Sequence, residues 1–156
     1  MREEQLFEHM KLWRNWTVSF LLEIPEGIID RIPNGHNNNI RWNTGHILVG
    51  WDQAIFPELN EERQLPLTFH KMFPNGSNPE IWTEQPPSMD DLIKIMEIQP
   101  NLLEKACKGH LDKPLKESFL GMTTLGDVIV FHMNHENLHM GLIKSMKQIL
   151  VNDMIS

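Results

Sequence analysis

Residues 125–151, LGDVIVFHMNHENLHMGLIKSMKQILV, are the strongest indication of the fold class of this chain. Apolar residues recur along it with the period of an α-helix, and three histidines continue the same stripe. The stripe consists of Leu125, Val128, Ile129, His132, His135, His139, Ile143, Met146 and Leu150. A helix of this kind is stable mainly because its apolar stripe packs against other helices. We therefore predict a long helix that begins after the cap candidates Thr123 and Thr124 and carries its histidines inward.

Three further helical patterns precede this stretch, at about residues 3–24, 40–56 and 88–109. The first has a seam with the alternating steps of four and three that bundles use, namely Leu6, Met10, Trp13, Thr17, Phe20 and Ile24. We expect Asn38 or Asn39 to cap the second helix, Ser88 to cap the third, and Pro100 to kink the third. Strand-like alternation is missing. The sequence thus predicts an all-α four-helix bundle in one domain, residues 1–156.

A long irregular connection, residues 57–87, joins the second and third helices of the predicted bundle. It holds six prolines together with Phe69, Phe73 and Trp82. Such a segment in a small domain is either a lid or pocket wall, or a strap that crosses one end of the bundle, and both alternatives stay open. On the preceding helix, Gly45 and Gly50 indicate close approach by another segment or a ligand, since glycine costs helix stability.

Composition and charge exclude several classes of protein. The net charge of -7, with no basic cluster, argues against binding to nucleic acid. No apolar run is long enough to cross a bilayer, so we expect no membrane partner. The lone cysteine, Cys107, cannot form an internal disulfide, and a cytoplasmic location is expected.

The five residues from His135 to His139 match H-E-x-x-H, a zinc-protease pattern in which Glu136 would be the general base. A protease of that type takes a third ligand further along the chain. After His139 the sequence contains no His or Glu, and its one carboxylate is Asp153. The protease interpretation therefore fails, and any further metal ligand must come from upstream.

The inward histidines have two interpretations. They are either hydrogen-bonded core residues or ligands of a shared cation, because each buried imidazole needs a partner. Spacing favours the cation, since His135 and His139 lie one turn apart on one helix face. Among the upstream histidines, His46 is the best candidate for a buried third ligand, because it shares a helix face with Trp42. Three imidazoles would leave coordination positions open, which is typical of a catalytic site.

Two segments of the chain resemble the DinB/YfiT superfamily of metal-binding four-helix bundles. They are the residues from Trp42 to Leu48, WNTGHIL, and the residues from His135 to Gly141, HENLHMG; FPNGSNP at 73–79 is also similar. The resemblance covers nearly the whole chain. It implies a three-histidine site for nickel, zinc or a similar divalent ion, with His46, His135 and His139 as ligands. It also implies homodimerisation and, as in characterised relatives, transfer of a low-molecular-weight thiol such as bacillithiol, mycothiol or glutathione.

The expected chemistry is thiol or water activation by a divalent ion. Glu136 or His132 is expected to move protons or to orient a ligand ring, and Trp42 to line the pocket of a small-molecule substrate. Three functions remain open: a thiol S-transferase, a metal-dependent hydrolase, and a bundle that binds a metal or small molecule without catalysis. Cys107 lies near the end of the third helix, beside Lys105 and Lys108, and is expected to take no part.

Overall fold

A computed structural model describes residues 2–155 of the chain. Its α-helices and β-strands are α1 (Glu3–Leu22), α2 (Ile40–Ile55), α3 (Leu67–Met72), α4 (Met89–Cys107), β1 (Pro114–Phe119), β2 (Met122–Thr124) and α5 (Leu125–Ile155). The long helices α1, α2, α4 and α5 form the bundle, in which α2 packs against α5 and α4, and α1 against α4 and α5. This confirms the predicted all-α fold. No helix among the described residues is long and apolar enough to cross a membrane.

The helix starts follow the predicted caps. The side chain of Asn39 accepts a hydrogen bond from the Trp42 amide at the start of α2, and Ser88 accepts one from Asp91 at the start of α4. At the start of α5, Thr124 and Asp127 each accept a hydrogen bond from the other's amide. These side chains supply partners for amides that have none within the helix, which fixes where each helix begins. α4 runs through Pro100 as one helix.

The bundle centre contains a buried polar network that the sequence patterns did not predict. Arg14 on α1 forms a two-point ion pair with Glu136 on α5, at 2.8 and 2.9 Å. The guanidinium also donates to Gln99 and to the Met96 carbonyl on α4. Trp51 on α2 donates to Glu136 at 3.0 Å. All four long helices therefore meet through one satisfied set of hydrogen bonds, as a buried charge pair requires.

This network corrects the predicted seam of α1. Trp13 and Phe20, which the four-and-three spacing placed in the seam, are only half-buried. Arg14 and Leu21 are buried in their place. Charged residues are rarely buried, so the four-and-three spacing gave no reason to place an arginine at an inward position.

A second correction concerns the segment between α4 and α5, where no strand was expected. β1 and β2 pair there as an antiparallel hairpin with an irregular register. The carboxylate of Glu58 accepts from the Lys116 amide at 2.9 Å, which ties the hairpin to the segment after α2. The strands are mostly exposed, so the alternation of buried and exposed residues that reveals a strand is weak here.

The irregular connection contains α3 and is held to α2. Asp52 on α2 accepts from the amides of Gln64 and Leu65 and contacts His70 at 2.8 Å. The Phe73 ring lies so close to Gly45 that a Cβ there would stand 2.6 Å from it. The close approach expected at this glycine is thus made by the connection, whose middle packs against α2.

Candidate metal centre

Three histidines from two helices converge between α2 and α5. They are His46, His135 and His139, and one ring nitrogen from each lies within 4.8 Å of the others. The Nε2 atoms of His135 and His139 are 3.2 Å apart. Two nitrogens that share one ion at about 2.0–2.1 Å stand roughly 3 Å apart. The spacing of this pair fits a shared divalent ion.

The ring of His46 is held by the irregular connection. Its Nδ1 lies 2.7 Å from the carbonyl oxygen of Phe73. A carbonyl oxygen can only accept, so Nδ1 carries the proton and donates it. In the neutral ring Nε2 then has a free lone pair. Gly45, by admitting the Phe73 ring, allows the carbonyl to reach this position.

Asn43 holds the ring of His139 in the same way. The Asn43 side-chain nitrogen donates to the Asn39 carbonyl at 2.8 Å, which orients the amide. The side-chain oxygen of Asn43 therefore faces Nδ1 of His139, at 2.8 Å, and accepts a hydrogen bond from it. Nε2 of His139 is left with a lone pair, and this lone pair faces the Nε2 of His135.

The fixed lone pairs on Nε2 of His46 and Nε2 of His139 suit the binding of a metal ion. Imidazole ligands of metals usually donate their other N–H to a carbonyl or carboxylate, as His46 and His139 do. Burial, the larger effect, and the neighbouring histidines lower the pKa of His139 to about 3, so it is neutral near pH 7. Burial also lowers the pKa of His46 and of His135. Neutral imidazoles are the form that binds a divalent ion, and the three residues fit one.

His135 is positioned differently from the other two histidines. It is half-buried and forms no hydrogen bond through Nδ1 among the described residues. The ring of Phe131 stacks on it, with centroids 6.0 Å apart and planes inclined by 13°. On the opposite side of the site, Trp42 stacks on His46 with centroids 4.6 Å apart. Aromatic faces therefore flank the histidines.

The three histidines open onto a cavity of about 730 Å³ between α2, α5, the hairpin and the loop before α2. Trp42 lines it, as predicted for a substrate-pocket wall, and its indole N–H donates to Ser77 at 2.8 Å. Glu58 and Asn75 are the residues of the irregular connection that reach the lining. The connection therefore contributes to the site mainly by holding the ring of His46 in place, and it forms little of the cavity wall.

The two predicted proton-transfer residues lie in different places. His132 lines the cavity next to Gly50. Burial, followed by the neighbouring histidines, lowers its pKa to about 3. Glu136 is 3% exposed and does not line the cavity. Successive residues of a helix point about 100° apart, so Glu136 turns from the metal centre towards Arg14 although it follows His135 directly.

The remaining histidines and the cysteine stay outside the centre. His36 lines the cavity, His70 pairs with Asp52, and His9 is exposed on α1. Cys107 is fully buried, and burial with nearby Glu61 and Glu3 raises its pKa to about 12. Its neighbouring lysines do not produce a reactive thiolate.

The sequence patterns did not identify the residues that orient the histidine rings. Asn43 was not singled out, although it lies three residues before His46 and on the same helix face. A buried amide one turn from a candidate ligand is a usable signal for such a residue. The carbonyl of Phe73 has no comparable signal, because a backbone group can belong to any residue type.

Comparison with known proteins identifies the family of the chain. The family model of the DinB superfamily matches residues 11–143 of the chain. A search of curated proteins finds no match.

Proposed function

Since the chain belongs to the DinB superfamily, we propose that it is a metal-dependent enzyme that transfers a low-molecular-weight thiol to a small substrate. One observation carries the proposal. The Nε2 lone pairs of His46 and His139 are fixed by hydrogen bonds and, with His135, open onto a cavity large enough for small molecules. A structural metal site would be closed by a fourth protein ligand.

Nickel or zinc is the proposed ion, because both are commonly bound by imidazole. When bound, such an ion lowers the pKa of a thiol or water molecule that coordinates it. The chain supplies the orientation: Asn43 and the Phe73 carbonyl fix two rings, and Phe131 supports the third.

The residues around the centre also limit the proton chemistry. Both carboxylate oxygens of Glu136 are occupied by Arg14, Thr17 and Trp51, so this residue has no free oxygen to act as a base. His132, with a pKa of about 3, is a weak base near neutral pH. A reaction that releases its proton to solvent through the open cavity suits these residues. In thiol transfer the S–C bond forms, the bond from carbon to the leaving group breaks, and the thiol proton passes to water.

The same limits apply to the alternatives. A hydrolase on this site would have to release the proton of its metal-bound water to solvent, because the expected base, Glu136, is paired with Arg14. A peptidase would also need room for an extended chain, whereas the hairpin covers one end of the cavity. A binding protein without catalysis would take up a ligand and show no turnover.

The test combines elemental analysis with a thiol screen. The purified protein should contain about one divalent ion per chain. It should accelerate the reaction of bacillithiol, mycothiol or glutathione with an aryl chloride, and chelation should abolish this activity. His46→Ala should lose both metal and turnover, whereas His9→Ala, on the exposed surface of α1, should keep both. Turnover that survives complete metal removal would refute the proposal.

Homodimerisation is part of the proposal. The described chain exposes Leu12 and Trp16 on α1, apolar side chains of the kind that interfaces bury. Size-exclusion chromatography with light scattering should give twice the monomer mass, and Trp16→Glu should reduce it if this face is the interface.

A further inference from the structure

The cavity extends on both sides of the three histidines, and its two ends differ in chemistry. One end lies beside the loop before α2, where His36, Asn37, Asn38 and Asn75 supply polar side chains. The other end lies beneath the hairpin and is walled by Ala54, Leu115, Phe119, Met122, Val128 and Phe131, which we name the apolar chamber. On α5, Val128 and Phe131 precede His135 by seven and four residues, which is about 10 and 6 Å of helix.

One buried polar ring stands among these apolar walls. His132 is 8% exposed and lines the cavity, and its Nδ1 has no hydrogen-bond partner within residues 2–155. Nδ1 is enclosed beside Gly50, whereas Nε2, which also takes part in no hydrogen bond in the described chain, is the ring nitrogen left for a ligand in the cavity. A buried polar group without a partner costs free energy, so such groups are usually satisfied by a ligand or water. The chamber therefore contains an unused hydrogen-bonding group.

The charged side chains around the chamber are acidic. Glu58 and Glu117 line the cavity, and among its described lining residues there is no lysine or arginine. The hairpin lysines lie nearby, but the Lys113 ammonium donates to the Glu58 carbonyl and the Lys116 ammonium to the Pro57 carbonyl. Apart from the proposed metal ion, an anion would meet two carboxylates and no free cationic side chain of the described chain, so its exclusion is measured in the chelator-treated protein.

We propose that the apolar chamber binds an uncharged aryl or alkyl group that carries one polar atom, hydrogen-bonded to His132, and that it excludes anions. The inference rests on the proposed function for its role, since the chamber would hold the electrophilic substrate while the thiol occupies the polar end. Apolar walls supply most of the affinity, and His132 distinguishes a hydroxyl or carbonyl substituent from a plain hydrocarbon.

Three fluorinated probes that share one fluorophenyl ring test this directly. They are 4-fluorobenzyl alcohol, 4-fluorotoluene and the anion 4-fluorobenzenesulfonate, whose binding is followed by fluorine NMR in zinc-loaded and in chelator-treated full-length protein. The alcohol should bind most tightly, about threefold tighter than the toluene because of one hydrogen bond. The sulfonate should bind at least about tenfold more weakly than the alcohol.

Two variants and a control locate the binding. Phe119→Ala, on the exposed hairpin, should weaken the alcohol about fivefold. His132→Phe keeps an aromatic ring and should remove the preference for alcohol over toluene, with His132→Leu as a second variant if the first fills the chamber. Asn75→Ala, at the polar end, should leave binding of the alcohol unchanged. Circular dichroism should show the same helical fold in each protein.

The outcomes separate this inference from the proposed function. The proposal of an apolar chamber would be wrong if the sulfonate bound as tightly as the alcohol. It would also be wrong if Phe119→Ala and Asn75→Ala weakened binding of the alcohol equally. An alcohol preference that survives in both His132 variants, or no binding of any probe, would contradict the proposal as well. Probe binding needs no thiol and no turnover. Binding as described, without thiol transfer in the screen, would therefore refute the enzyme alone, and turnover without probe binding would refute the chamber alone.

Discussion

The substitution Asn43→Leu tests whether Asn43 orients the ring of His139 for metal binding. Asn43 is buried, and its oxygen accepts the Nδ1 proton of His139 at 2.8 Å. Leucine has a similar size but accepts no hydrogen bond, so the imidazole loses the partner that fixes its tautomer and its orientation. Loss of such an orienting group typically weakens metal binding by about 10–100-fold, or roughly 1.4–2.7 kcal/mol.

The measurement must separate this effect from general destabilisation. Asn43→Leu also removes the bond from the side-chain amide to the Asn39 carbonyl, so the free energy of unfolding should fall by about 1–3 kcal/mol. Thr44→Val is the matched control: Thr44 is a buried neighbour that donates to the Ile40 carbonyl and, within the described residues, forms no hydrogen bond to the histidines. It should lose about 1 kcal/mol of stability and bind metal as the parent protein does.

The assay is competition with a chromophoric chelator for zinc and, separately, for nickel, with stability measured by urea titration of the metal-free proteins. Asn43→Asp retains an acceptor for His139 and should bind metal far better than Asn43→Leu. If Asn43→Leu binds within twofold of the parent protein, the orientation of His139 does not depend on Asn43. If Thr44→Val weakens metal binding to the same extent, the loss reflects destabilisation of α2.

Three further predictions concern the groups around the centre. Glu136→Gln should keep the metal but lower the free energy of unfolding by about 3 kcal/mol or more, because it leaves the buried Arg14 charge without its partner; unchanged stability in urea would contradict the role assigned to this pair. The metal-free protein should lose stability as the pH falls below about 6.5, because His132 and His139 titrate near pH 6.5 when unfolded and at about 3 when folded. The unfolded state then binds more protons, so the stability that is present in full above pH 6.5 declines towards pH 3, by up to about 1.4 kcal/mol per pH unit for each histidine. Urea titrations at pH 7.5 and pH 5 measure this change, and a higher free energy of unfolding at pH 5 would contradict the prediction. Cys107→Ser should keep metal and turnover, and the thiol of the folded parent protein should resist a disulfide reagent because it is fully buried; rapid labelling would show that the cysteine is accessible.

Much of the fold could be predicted from local patterns in the sequence. Helix periodicity and the caps at Asn39, Ser88 and Thr124 act between residues close in the chain, so they can be recognised without knowing what packs against what. The limits of α2 and α4 lie within two residues of the predicted ends. The hairpin was missed because β1 is held by contacts distant in sequence, such as that between Lys116 and Glu58, and its strands bury little.

The candidate site could be predicted in part for the same reason. The spacing of His135 and His139 is a local property of one helix, and His46 followed from its helix face and from the family resemblance. Their hydrogen-bonded supports could not be predicted, because Asn43 contacts a residue 96 positions away and the carbonyl of Phe73 lies 27 positions from His46. Such pairs depend on the packing of α2 against α5 and against the connection, which no local pattern specifies.

The role of Glu136 depends most on long-range packing. In the motif it stands beside a ligand, yet its partner is Arg14, 122 positions earlier. Trp51 on α2 also donates to it, five residues beyond His46 on the same helix. Glu136 therefore links α5 to α2 within about two turns of the ligands and fixes how α5 is rotated. Because His135 directly precedes Glu136, the rotation that brings the carboxylate to Arg14 also turns His135 and His139 towards His46. The acidic residue of the motif thus contributes to the metal centre through the orientation of the helix, and its protonation chemistry is not needed for that.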